Sequence, residues 1–214
     1  SALHASVGML NTSGKFNDEA YEVSRGAHGQ GTKITNALST EFEVFTFRDG
    51  SWWTIAYKQG KETAQVAKAK QGPPNPFTGK RQTKGTWVRF KPELAIFKAK
   101  RFPSSMISTW AEIASYFTPN FAIRLTMGQE GSKDAKSKTY RAPNGPRQYV
   151  TSQLTKLKAQ SLIEGDVDAN KATFVAQNAF VDCVVAFTNH SEEAFAAFTN
   201  GLSNADGGIH VNSF

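Results

Sequence analysis

Along the chain, hydrophobic positions recur with two spacings, and each predicts an element. In "TKITNALSTEF", Ile34, Ala37, Leu38 and Phe42 fall on one helical stripe. "EVFTFRDGSWWTIAY" changes to strand spacing and reads as two strands joined at Asp49-Gly50, a pair that tolerates the positive φ values of a tight hairpin. The Pro and Gly density of "QGPPNPFTGK" forbids regular structure, so Lys61 to Lys84 reads as a surface insertion. "GTWVRF" resumes as a strand and stops at Pro92. A second unit begins near Arg101, where Met106, Ile107, Trp110, Ile113, Ala114 and Phe117 keep helical spacing until Thr118-Pro119-Asn120 interrupts it. "FAIRLTM" alternates Phe121, Ile123, Leu125 and Met127 as a half-buried strand, and "GQEGSKDAKSK" is a polar loop. "NGPRQYVTSQLTKLK" reads as a helix with Pro146 in its first turn, where a missing N–H costs nothing. "TFVAQNAFVDCVVAF" supplies strand material; "SEEAFAAFTN" suits a helix by its alanines and a strand by its position between turns. The order predicts an α+β chain of two-layer sandwiches divided near residue 100, with no internal repeat and no low-complexity tract.

Composition narrows the setting. Hydrophobic residues are 39% and charged residues 20% of 214, and no apolar run approaches the roughly 18 residues of a membrane span, so the chain reads as soluble and globular, with no membrane partner. The opening "SALHASVGML" has no secretory signal and no initiator Met, so Ser1 reads as a tag scar, a processed end or the cut edge of something longer. A single cysteine, Cys183, excludes an internal disulfide and fits a reducing, cytoplasmic setting. The formal charge of +7 is unevenly spread, since Lys58 to Arg101 holds twelve basic residues against two acidic ones, a local excess of ten. Such a segment can track a polyanion by displacing its counterions, or be a solvated lysine-rich surface.

The chemistry-bearing motif is Gly26-Ala27-His28-Gly29-Gln30-Gly31, just before the first predicted helix. Glycines there let the backbone approach a ligand closely, and the N–H groups opening the following helix favour an anion. Lys15 and Lys33 add point charges for phosphate oxygens. A Walker loop is excluded by the missing Gly-Lys-Ser/Thr ending, and a dinucleotide fingerprint by the missing strand before it. The alternative is a flexible turn before a core helix. His28 has no Ser or Cys nucleophile arrangement around it and reads as a backbone-shaping or packed residue rather than a base. His4, His190 and His210 are too scattered for a metal site, and Asp182, Glu192 and Glu193 read as solvated.

"SGKFNDEAYEVSRGAHGQGTKITNALS" resembles a segment of type II DNA topoisomerase ATPase subunits, the gyrase B and topoisomerase IV relatives, which carries Gly-Gly-Lys-Phe, a Tyr, and Gly-x-His-Gly-x-Gly before Val-Asn-Ala-Leu-Ser. "RDG" with the following "YKQG" resembles that family's hairpin, and "GTWVRFKPELAIF" its Gly-Thr-x-Val-x-Phe-x-Pro-x-x-x-x-Phe strand. "WAEIASYFTPNFAIRLT" resembles the transducer helix and strand, "NGPRQYV" the next helix start, and "FTNGLSNADGGIHVNSF" the Phe-Thr-Asn-Asn-Ile…Gly-Gly-Thr-His segment. The matches run in order over nearly the whole chain.

The resemblance implies a partial Bergerat-type (GHKL) ATPase domain over 1–100 and, over 101–214, a transducer domain of left-handed-crossover α/β character, incomplete at its C-terminus. It implies ATP binding by Lys15, Tyr21, Gly26, Ala27, His28, Gly29, Gln30, Gly31, Lys33 and Thr86, the glycine loop forming a lid over the triphosphate and Gly85-Thr86 lying below the nucleotide. It implies no catalytic residue and no metal ligand in this chain. The family's catalytic Glu, its magnesium-binding Asn and its Asp-x-Gly-x-Gly box precede the lid, and nothing before Lys15 supplies them. ATP with Mg2+ is thus the implied cofactor, the metal held by another segment. The implied partners are DNA, with Lys80, Arg81 and Lys84 as contacts, and the remaining topoisomerase segments, namely the N-terminal ATPase half and the cleavage core. The assembly would be a dimer in a bacterial cytoplasm, or a phage protein in its host. Gln82-Thr83-Lys84 spells the family's switch-lysine tripeptide but precedes Gly85-Thr86, so it reads as a decoy; Arg25 and Gln30 replace a family glycine and an aliphatic residue. A mismatch-repair or chaperone relative shares such a lid but not the second half. The reading from another class is a non-catalytic DNA-binding or subunit-interaction module.

Overall fold

The computed structural model describes residues 1–10, 12, 29–98, 101–129, 132–159, 173–177, 181–191, 195–199 and 201–204. The chain divides into two compact units, Ser1–Phe102 with Gly128–Ala135, and Pro103–Met127 with Lys136–Phe214.

In the first unit, β1 (Ser39–Arg48), β2 (Ser51–Lys58), β3 (Lys61–Ala69) and β4 (Thr86–Pro92) form an antiparallel sheet in the order β3-β2-β1-β4. Two tight turns make the meander. Asp49 and Gly50 have φ of 51° and 71°, and Gln59 and Gly60 have 50° and 77°, the left-handed pairs that match the twist of a two-residue hairpin. Directly paired residues share a face, so Phe42, Val44, Ile55 and Tyr57 point one way. Two short helices, α1 (Ala2–Gly8) and α2 (Gly31–Ala37), complete this unit, and Val7 of α1 closes the cluster, with Leu3 and Val66 against it. Ile55 is 0% exposed and Phe42 and Val44 are 1% exposed, each such burial contributing roughly 1.5–3 kcal/mol. His4 of α1 meets Glu62 of β3 at 2.7 Å, fastening the helix to the sheet edge.

The opposite face carries Phe45, Phe47, Trp52 and Trp87, stacked edge to face as Phe45–Trp87 and Phe47–Trp52. Here the segment 70–85 folds back over Trp52, which is only 7% exposed. It is irregular but built. Asn75 Oδ1 accepts from the N–H groups of Phe77 and Thr78, and the backbone of Pro74 bridges to Arg81.

In the second unit, α3 (Ser104–Tyr116) and α4 (Gly145–Leu157) meet through Tyr116 and Tyr149, their rings 5.4 Å apart, and Phe198 of the short hairpin β9 (Phe198–Thr199) and β10 (Leu202–Ser203) packs on Tyr149 and Phe117. Pro146 lies in the first turn of α4, and Lys158 ends it with φ 53°. Two further hairpins pair β5 (Ile123–Met127) with β6 (Lys136–Tyr140) and β7 (Thr173–Gln177) with β8 (Asp182–Ala186).

Several expectations need correction. Phe42 does not extend the α2 stripe: the helix ends at Ala37, Phe42 is in β1, and Ile34 is 49% exposed. Lys61–Ala69 is not part of an irregular insertion but strand β3, and Lys136–Lys138 belongs to β6 rather than to a polar loop. Both are polar strands with little burial, so neither shows an apolar alternation. Of the α3 stripe, Met106 and Trp110 are 68% and 57% exposed, and Ala111, Ala114 and Tyr116 are the buried residues. Phe121 precedes β5 and is 68% exposed. For "SEEAFAAFTN", Phe198–Thr199 is strand, and residues 192–194 and 200 lie outside the described residues.

Candidate functional site

The sequence places the chemistry at the start of α2. Gly29 has φ 59°, a left-handed turn suited to glycine, and turns the chain into the helix. Gln30 caps α2 with no side-chain hydrogen bond, while its carbonyl accepts from Ile34 N–H at 2.9 Å. Among the described residues the Gln30 side chain thus leaves the first-turn N–H groups uncapped, an arrangement that fits an anionic group. A Cβ on Gly31 would meet nothing within 4 Å, so this position opens outward.

Behind that opening, α2 buries two polar side chains. Lys33 is 6% and Asn36 2% exposed. Asn36 Nδ2 donates to the Val7 carbonyl at 3.1 Å, satisfying one of the last carbonyls of α1, and its Oδ1 is buried with no hydrogen-bond partner among the described residues. Lys33 and Asn36 are three residues apart and so share a helix face. Thus Gly29, Gln30, Gly31 and Lys33 are contiguous around one helix start. Lys15, Tyr21, Gly26, Ala27 and His28 lie outside the described residues.

Thr86 belongs to a different part of the sheet. It pairs with Thr46, the two hydroxyls 3.1 Å apart, while Ser39, next to α2, pairs with Pro92 at the other end of the ladder. At ~3.3 Å per residue, the length of β1 between Ser39 and Thr46 is about 23 Å. Gly85 enters the strand with φ 111°, and its carbonyl accepts from Phe47 N–H at 2.8 Å.

Lys80, Arg81 and Lys84 all sit on the 70–85 loop and are exposed. Arg81 is tied down, one guanidinium N–H donating to the Gly72 carbonyl at 3.2 Å. Beside the loop, an open groove lined by Phe45, Trp87, Pro76, Arg81 and Arg89 runs to the free edge of β4. Sequence reasoning had the strand but not the groove. The available signal was the alternation in "GTWVRF", which sets Trp87 and Arg89 on one face and Val88 and Phe90 on the other. Among the described residues no group of three or more His, Cys, Asp or Glu side chains is gathered as for a metal. No described helix is long and apolar enough to cross a membrane.

No protein-family model matches the chain. It is 29% identical over 220 residues to the DNA gyrase B protein of Thermotoga maritima, an alignment covering 100% of this chain and 32% of that protein. To the DNA topoisomerase 4 B protein of Mycoplasma genitalium it is 26% identical over 209 residues, covering 96% of this chain and 30% of the relative. The chain thus spans about a third of the length of the curated relatives it matches. Among solved structures, the gyrase B-subunit from Myxococcus xanthus superposes with a TM-score of 0.65 at 18% identity, covering 88% of this chain and 51% of that one. The 43K ATPase domain of Thermus thermophilus gyrase B, in complex with an aminocoumarin, gives 0.64 at 23% identity, covering 86% and 46%. The mixed α+β fold is shared with that domain. The chain is homologous to the B subunits of DNA gyrase and topoisomerase IV over its full length.

Proposed function

We propose that this homologue of the gyrase and topoisomerase IV B subunits supplies the triphosphate-binding lid and the transducer of an ATP-driven type II DNA topoisomerase. The observation that carries the reading is the gyrase B alignment, which takes in 100% of this chain. Residues 1–100 act as the lid half of a GHKL-type ATPase domain, and residues 101–214 as the transducer relaying nucleotide state to DNA strand passage.

Each residue's part is the one the family resemblance implies. Gly26 to Gly31 wrap the triphosphate with backbone N–H groups, supported at the described end by the left-handed Gly29 and the uncapped start of α2. Lys15 and Lys33 neutralise phosphate oxygens, Tyr21 approaches the adenine, and Thr86 lies beneath the nucleotide. Burial of Lys33 supports this role, because an amine held out of water gains most from an anion beside it. Mg2+ accompanies ATP and stabilises charge on its phosphates, its ligands coming from another polypeptide segment. Lys80, Arg81 and Lys84 contact DNA.

The residues of this chain bind and cover phosphate but supply no general base. The purified 214-residue chain is therefore expected to show no magnesium-dependent ATP turnover above the protein-free rate. A non-hydrolysable ATP analogue should bind once a polypeptide carrying the family's Glu, Asn and Asp-x-Gly-x-Gly box is added. Turnover by the chain alone overturns the division of labour. Absence of analogue binding after that addition favours the second reading, a DNA-binding or subunit-interaction module, which the basic excess of Lys58 to Arg101 supports.

A further inference from the structure

The groove at the free edge of β4 is lined by none of the residues proposed to bind nucleotide, and its composition is unusual for an idle surface. Its floor is Phe45 and Trp87, rings edge to face at 5.7 Å. Pro74 and Pro76 of the 70–85 loop also line it, and around the β4 edge, on the face opposite Trp87, Phe90 and Phe102, 42% and 59% exposed, stack at 6.1 Å. Arg81 and Arg89 also line it, with one acidic side chain, Glu43. Its volume of about 540 Å³ falls within the ~300–1,000 Å³ of ligand-binding clefts. β4 is an edge strand, so the groove is open along that side to a long molecule.

Charge selects among possible occupants. Beside Arg81, which lines the groove, Lys80 and Lys84 stand exposed on the same loop. A proline-rich peptide would use the rings and leave this charge unanswered. A DNA duplex would answer the charge, but its bases are stacked inside and cannot lie on Trp87 or Phe102. A single-stranded nucleic acid offers both flat aromatic faces and regularly spaced phosphates. The Gly72 carbonyl holds the Arg81 guanidinium beside the rings, with further N–H groups to offer a phosphate.

We infer that the Trp87–Phe102 groove binds single-stranded nucleic acid, bases stacking on the rings while Arg81 and the neighbouring lysines take the phosphates. This rests on the reading of Lys80, Arg81 and Lys84 as DNA contacts and adds a strand preference to it. The test measures anisotropy of labelled oligothymidylate and of a duplex of equal length with the full 214-residue chain, at fixed salt. Oligothymidylate should bind more tightly than duplex and quench tryptophan emission. Trp87→Leu should weaken oligothymidylate about ten-fold and leave duplex unchanged. Phe102→Ala, which removes a largely exposed ring, should shift the same preference if Trp87→Leu fails to fold. Replacing Lys80, Arg81 and Lys84 together by Ala should weaken both ligands. If the ring variants leave oligothymidylate binding intact while the triple variant weakens both ligands, the groove is refuted and the basic loop stands. If the unaltered chain binds neither oligonucleotide, both readings fall. Capture of a proline-rich peptide, lost in Trp87→Leu and without oligothymidylate binding, would overturn the inference in favour of a peptide groove.

Discussion

At Gly72 the chain has no room for a side chain. A Cβ there would collide with the Gln82 carbonyl and come within 2.7 Å of Trp52 Cε2, both fixed by the fold of the loop over the sheet. Gly72→Ala is therefore expected to destabilise the first unit by about 1–3 kcal/mol, read as a lower urea midpoint with earlier exposure of Trp52. Residue by residue, the sequence was legible where chemistry is local. Asp49-Gly50 announced its turn because few pairs accept two positive φ values. Phe42 was misplaced because residues four apart, such as Leu38 and Phe42, satisfy a helix while 42 and 44 satisfy a strand, and a short window cannot separate the two periods. The burial of Asn36 was not legible, since its side chain donates to Val7 of α1, a helix that no periodicity in "SALHASVG" announces. Tyr57 is similarly set by its surroundings. Burial first, then the nearby Glu62 charge, push its hydroxyl above the usual tyrosine range.

Among the elements, strands without a buried face were the ones that escaped. β3 lies at a sheet edge, reads Lys-Glu-Thr-Ala-Gln-Val-Ala-Lys-Ala, and is placed by backbone pairing with β2 and by Lys68 over Trp53 at 5.3 Å. Its lysines also discourage edge-to-edge pairing with another chain. The end of β4 shows how elements are joined. Glu93 N–H donates to the Leu38 carbonyl just after α2, while its carboxylate accepts from Ala95 N–H at 3.1 Å and Gln59 Nε2 at 2.6 Å. Those bonds, the backbone one foremost, hold its carboxyl below the usual range. A depressed folded-state pKa means stability that is present above the unfolded value near ~4.3 and is lost as pH falls through the folded one. Stability should thus drop on acidification below about pH 4, and Glu93→Gln should flatten that part of the profile, as thermal melts across this range will report.

For the whole molecule, the family was legible because motifs recur in order along the chain, and the gyrase B alignment over 100% of it agrees. The pocket was legible only as a list. Five of the ten positions proposed to bind ATP lie outside the described residues, and Thr86 is set by a ladder rather than by neighbourhood in sequence. The basic segment makes a prediction at this scale. Removing the charges of Lys80, Arg81 and Lys84 should reduce the log–log salt slope of duplex DNA binding by about 2–3, and an unchanged slope would make the loop merely solvated. The meander described above also bears on how the molecule forms. β1, β2 and β3 are joined by two-residue turns and can zip in about 1–10 μs each, whereas β4 must return across the 70–85 loop to pair with β1. Contacts within the meander thus form early and those of β4 late, so damage to Ile55 would slow folding while damage to β4 would chiefly hasten unfolding. The strand that carries Thr86 and Trp87 is then the one most readily released, which sets the residues proposed here to meet ligands on the least committed edge of the sheet.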